Sequence, residues 1–159
     1  MKHWLMKSEP DAFSIDDLHK AGTEPWTGVR NYQARNFMRQ MQVGDQVFFY
    51  HSSTAVPGIA GLARVASAPY PDPTQFKKRS HYFDPKATLA EPRWQMVDVS
   101  FERKFEQVLS LQALKDHADR LEGLAVLQRG SRLSVSPVTA LQARVLLSLA
   151  MAANDHVPE

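Results

Sequence analysis

Val43-Gly44-Asp45-Gln46-Val47-Phe48-Phe49-Tyr50-His51, with the return run Ile59–Ala66 behind Pro57-Gly58, is the stretch on which the fold turns. Val43-Gly44-Asp45 has turn chemistry, residues 46–51 are dense in β-formers, and Pro57-Gly58 sends the chain back, so the two runs read as antiparallel neighbours. A longer strand is expected from Trp94 to Phe105. There Val97, Val99, Phe101 and Phe105 alternate with Asp98, Ser100, Glu102 and Lys104, the period-2 pattern of a half-buried strand. His3–Lys7 and Arg132–Val135 supply an opening and a closing strand.

Helices fall between these strands. Ser14 caps one that carries Asp16 and Asp17 in its first turn and ends at Gly22. A second runs from about Asn31 to Met41, with Ala34, Phe37, Met38 and Met41 forming its buried stripe and Arg35 and Arg39 outside. Ser110 caps a short helix, Gly123–Arg129 forms another, and Ser136-Pro137 starts the last, with Leu141, Val145 and Leu149 as its stripe. Without a βαβ rhythm the class is α+β: a small, bent antiparallel β-barrel with flanking helices. Residues 1–153 read as one domain and residues 154–159 as a flexible tail. The segment from Ala68 to Pro92 holds five of the ten prolines and is the longest irregular stretch, an ordered flap or a mobile insertion.

The chain has 159 residues, 43% of them hydrophobic, enough for one sizeable core. It contains no cysteine, which excludes disulfides and thiolate-bound zinc. No apolar run approaches the roughly 20 residues that span a bilayer, and the first residues lack a signal-peptide centre; no membrane association and a cytoplasmic location are expected. The formal charge is only +2, so distribution says more than total. Arg30, Arg35 and Arg39 cluster, as do Lys77, Lys78, Arg79, His81 and Lys86.

Trp26-Thr27-Gly28-Val29-Arg30-Asn31-Tyr32-Gln33-Ala34-Arg35-Asn36 brings together an aromatic face on a glycine turn, an amide and two arginines, with Arg39 just beyond. A nucleobase needs a π-face to stack on, a polar group for its edge and cations for the backbone that carries it. Base recognition is therefore the leading reading, and neither a cofactor nor a metal is expected.

Four motifs in order, Trp4–Pro10, Trp26–Asn36, Val43–Ser52 and Arg129–Val135, closely resemble the EVE domain family, and Tyr70–Phe76 and Pro92–Val99 extend the resemblance over nearly the whole chain. It implies a PUA-like fold related to the YTH readers of N6-methyladenine, and a module that binds DNA or RNA carrying a modified base, 5-methylcytosine among the proposed ligands. By position, Lys7 and Ser8 resemble the Lys-Ser pair that YTH-type pockets place at the nucleotide. Trp26 is similar to the first wall of their aromatic cage, and no motif assigns the second. Asn31, Tyr32, His51 and Ser52 match the remaining pocket motifs, and Arg129 with Ser131 a late basic loop. Arg30, Lys77, Lys78 and Arg79 suit the phosphate backbone.

Each residue also has a plainer reading. Trp4 and Trp94 read as core. Trp26 can plug the barrel end, Asn31 can be only a helix cap, Tyr32 a core aromatic and His51 a structural histidine. The basic cluster at 77–86 can be a solvated face. A competing function is a metal-independent ribonuclease or base-processing hydrolase using Lys7, Glu9, Tyr50 and His51; a third is a sensor of a free nucleoside.

Overall fold

The computed structural model describes residues 1–154. Its main sheet has six strands in the order β2 (Thr23–Pro25), β7 (Asp98–Ser110), β4 (Gly58–Val65), β3 (Gln46–His51), β1 (His3–Ser8) and β8 (Val135–Val138). β5 (Tyr70–Pro71) and β6 (Gln95–Met96) form a separate small ladder. The β3–β4 pair is antiparallel, as its turn requires, but β1 runs parallel to β3, from His3 opposite Gln46 to Ser8 opposite His51. The curled sheet is therefore mixed rather than wholly antiparallel. A helix-containing crossover separates β1 from β3, which is what a parallel pair needs.

Sequence alternation sorts side chains into two cores. Trp4, Met6, Val47 and Phe49 pack with Ile15, Leu18, Ala34 and Met38 from helices α1 (Ile15–Ala21) and α2 (Tyr32–Met38). Leu5, Phe48 and Tyr50 pack on the opposite face with Leu114, Leu146 and Ala150 from α3 (Leu111–Asp116) and α4 (Ala140–Asn154). Central strands covered on both sides read as continuous apolar runs, and residues 47–50 are such a run. Register shifts at Phe49/Tyr50, Ile59/Gly61 and Leu62/Ala63 bend β3, β4 and β7. As a result β7 serves both cores, Val99 in the first and Phe105 in the second, although the alternation places them on one face.

Several boundaries differ from expectation. The strand expected from Trp94 is interrupted at Val97 and then continues to Ser110. The helix expected over 123–129 is a single 3-10 turn, Ala125–Leu127, and the closing strand lies at Val135–Val138. On α4 the buried residues are Gln142, Ala143, Val145, Leu146 and Ala150, while Leu141 is 65% exposed. Thr139 and Gln142 explain the offset. They form a reciprocal cap in which each side chain accepts the other's backbone N–H, and the Gln142 amide also donates to the Glu122 carbonyl, so a polar residue faces the protein. Asn154, expected to open the tail, closes α4 and exchanges two hydrogen bonds with the Gln107 backbone; residues 155–159 lie outside the described residues.

The proline-rich segment is an ordered flap. Asp72 and Gln75 are fully buried, and the Gln75 amide donates to the carbonyls of Asp72 and Trp94 while its oxygen accepts from Arg93 and Trp94. With all of its polar atoms engaged, Gln75 staples the flap to β6.

Candidate functional site

A pocket of about 500 Å³ opens between the end of β1, the turn after it, the segment from β2 into α2, and the flap. Three of the residues named from the sequence, Lys7, Ser8 and Trp26, line it, together with Glu9, Phe13, Glu24, Gly28, Tyr82 and Ser134. Trp26 is 8% exposed and its indole packs edge-to-face on Phe49, centroids 5.5 Å apart at 84°; its backbone N–H donates to the Val97 carbonyl. Trp26 is thus mostly packed, as a plug would be, and also lines the pocket.

A second aromatic in the lining is Tyr82, which no motif identifies. It is 39% exposed and lies against Gly28 so closely that a Cβ built there would fall 2.5 Å from the ring. Gly28 has φ +86°, a left-handed conformation that disfavours any side chain. The same glycine therefore turns the chain after Trp26 and makes room for a second ring.

Arg30 and Asp72 hold Tyr82 there. Asp72 accepts from the backbone N–H groups of Gly28 and Thr74 and from the Thr74 hydroxyl, and it pairs with Arg30 at 3.1 Å. Burial would raise its pKa, but these hydrogen bonds, led by Thr74, hold it below the usual carboxylate value. Arg30 spends its guanidinium donors on Asp72, Thr74, the Val29 carbonyl and, twice, the Tyr82 carbonyl. Its Cζ also lies 5.4 Å from the centroids of both the Tyr82 and Trp94 rings. Expected at the phosphates, Arg30 instead fastens the flap, with no donor left for a ligand.

Other expected pocket residues occupy supporting positions. Asn31 is the N-cap of α2 and accepts from the Ala34 N–H. Tyr32 is half exposed, stacked on Trp94 at 4.8 Å and covered by Arg35 at 4.8 Å, outside the pocket lining. His51 accepts the Ile15 N–H at its Nε2 and so caps α1; burial lowers its pKa. Ser52 donates its backbone N–H to the Ser8 carbonyl and continues the β1–β3 ladder. The Ser8 hydroxyl donates to the Phe13 carbonyl at 2.6 Å, fixing the turn at the pocket edge while its lone pairs stay available. Trp4 and Trp94 are core residues whose indole N–H groups donate to Asp45 and Asp84.

Lys7 is half-buried in the pocket with its amine 5.9 Å from the Tyr50 ring, and burial pushes its pKa down. Lys77, Lys78 and Arg79 are exposed on the flap just before Tyr82. Arg129 is exposed and Ser131 half-buried in the turn that leads to Ser134 at the pocket. Exposed cations thus lie on two of the segments that reach the pocket. A larger hollow, about 660 Å³, lies at α4 between Asp119, Arg120, Thr139 and Arg144; its lining has no aromatic ring and none of the expected residues, so it does not suit a base. Of the four groups in the enzyme alternative, Lys7 and Glu9 line the pocket and Tyr50 and His51 do not. Among the described residues no three His, Asp or Glu side chains could hold a metal ion.

Residues 2–149 match the EVE domain model. The chain belongs to the EVE domain family. It is 44% identical to thymocyte nuclear protein 1 of Danio rerio, over 92% of this chain and 71% of that one. A crystal structure from Pseudomonas putida superposes with a TM-score of 0.91 at 54% identity, covering 93% of this chain and 99% of the other. The human THYN1 protein, solved in complex with 5-methylcytosine-containing DNA, superposes at 0.90 with 41% identity, covering 94% and 98%. The expected family and fold are thus found, as a curled mixed sheet with four helices. No helix of this EVE domain is long and apolar enough to cross a membrane among the described residues.

Proposed function

We propose that this EVE domain is a non-catalytic binding module that takes a modified base, 5-methylcytosine in DNA, out of a strand and into the pocket lined by Trp26 and Tyr82. The observation that carries the reading is the convergence of two aromatic rings from distant segments and a half-buried lysine on one base-sized hollow. The DNA complex of human THYN1 supports it. Trp26 and Tyr82 supply stacking, worth about 1–3 kcal/mol per base. Lys7 and Ser8 face the polar edge, and Lys77, Lys78, Arg79, Arg129 and Ser131 track the phosphates on either side. Asn31, Tyr32, His51 and Ser52 act by fixing the helices and strands that hold those groups.

A methyl on the ring adds apolar contact worth roughly 1–3 kcal/mol, so preference over unmodified cytosine is on the order of ten- to two-hundredfold. Fluorescence anisotropy of short labelled DNA and RNA strands carrying cytosine, 5-methylcytosine, adenine or N6-methyladenine at one position tests this. The expected result is tightest binding of the 5-methylcytosine DNA strand, with every strand recovered intact. Equal affinity for all strands overturns base reading, and a cleaved or altered strand overturns the non-catalytic assignment.

A further inference from the structure

Among the described residues Glu24 has no side-chain hydrogen-bond or ion-pair partner. It lies on β2 between exposed Thr23 and Pro25, is half-buried, and has its backbone paired with Val99. It lines the same hollow as Trp26 and Tyr82. The ion pairs among the described residues join Arg30 to Asp72, Arg64 to Glu102 and Lys104 to Asp16, leaving the Glu24 carboxylate unpaired. Glu9, the other acid of the lining, is exposed in a turn whose carbonyl accepts from Ala12 and Phe13. A group on a strand is held to a tighter geometry than one on a turn.

We propose that Glu24 reads the exocyclic amine of the captured base and so makes the pocket selective for cytosine-type rings over thymine. The inference rests on the base-capture reading above. An ionised carboxylate only accepts hydrogen bonds, and cytosine offers it the N4 amine. Thymine presents a carbonyl oxygen at that position, so two acceptors face each other with no proton between them. Lys7 is the complementary donor for the ring's acceptor atoms. Methylation at C5 leaves the amine unchanged. Glu24 therefore reads which base is present, and the aromatic rings read whether it is methylated.

The decisive comparison is 5-methylcytosine against thymine in one strand, because both carry the same methyl group and differ on the edge that Glu24 faces. Dissociation constants are measured for wild type, Glu24→Gln and Glu9→Gln. A ratio taken within one protein cancels any change in its folded fraction. Wild type is expected to favour 5-methylcytosine by roughly ten- to a hundredfold, the range of one charge-assisted hydrogen bond. Glu24→Gln, whose amide can turn its NH2 toward the thymine oxygen, abolishes or inverts the preference, and Glu9→Gln keeps it. Retention of the full preference in Glu24→Gln, or its loss in Glu9→Gln, overturns the assignment. Failure of wild type to bind 5-methylcytosine overturns base capture itself, and that result is visible before any variant is compared.

Discussion

The two rings of the pocket differ in what else they do. Trp26 is nearly buried against Phe49, so Trp26→Ala removes core packing as well as the proposed ligand wall and costs about 3–5 kcal/mol of stability. Tyr82 is far more exposed, and its replacement isolates binding. Tyr82→Ala is expected to weaken binding of a 5-methylcytosine strand by roughly five- to a hundredfold with little change in the thermal midpoint; calorimetric melting and anisotropy on the same sample check this. A large fall in melting temperature with unchanged affinity would remove Tyr82 from the site. Trp26 is legible in the sequence because it stands on a glycine turn beside arginines. Tyr82 is not, because a ring in a proline-rich loop becomes a wall only through the burial of Asp72, and nothing in the local pattern marks one loop aspartate as buried.

Elements are held in register by polar side chains that look like ligand contacts when only their type is known. His51 takes the Ile15 N–H as a neutral ring, and its folded-state pKa lies below the ordinary 6.5 because of burial. Asp16 opposes that shift and Lys104 adds to it. A base with a depressed pKa binds more protons when unfolded, so its contribution to stability is present above pH 6.5 and is lost as pH falls through that value toward the lower folded-state pKa. Denaturant midpoints should fall between pH 7 and 5 in wild type, and part of that fall should vanish in His51→Gln. An identical pH profile in both proteins would contradict the cap. The Arg30–Asp72 clasp makes a separate prediction. Arg30→Ala leaves a buried carboxylate unpaired, a change that costs about 3–5 kcal/mol in buried pairs, and it releases Tyr82. Affinity should drop while the dependence of binding on salt stays the same, because Arg30 has no donor for a phosphate. A reduced salt slope would return Arg30 to the backbone contacts.

Across the molecule, the mixed sheet puts the proposed base pocket at one end of β1, and exposed cations lie on two of the segments that reach it. Replacing Lys77, Lys78 and Arg79 by alanine should weaken binding to every strand alike and reduce the salt slope by about 0.7 for each single-strand phosphate that is no longer neutralised. The ratio of 5-methylcytosine to cytosine affinity should be unchanged, since phosphate contacts position and base contacts specify. A changed ratio would place the cluster at the base. Much of this architecture is readable in the sequence. The 46–51 and 59–66 pair, the Ser14 and Ser110 caps and the Ala34–Met38 stripe all follow local rules, and all are present. The parallel β1–β3 pairing is not readable, because periodicity tells which face is buried and not which neighbour lies alongside. The buried face of α4 is obscured for a related reason: alanines and a capping glutamine pack inward there, whereas apolar spacing favours Leu141.

Everything proposed for the pocket depends on a methylated cytosine entering between Trp26 and Tyr82. NMR of a strand whose single 5-methylcytosine carries a 13C-labelled methyl group, bound to the protein, observes that entry itself. An upfield ring-current shift of the methyl is expected, with nuclear Overhauser contacts to the ring protons of both Trp26 and Tyr82. A bound methyl with no ring-current shift, or with contacts to Thr139, Leu141 or Val145 at the α4 hollow instead, would show that the base lies elsewhere.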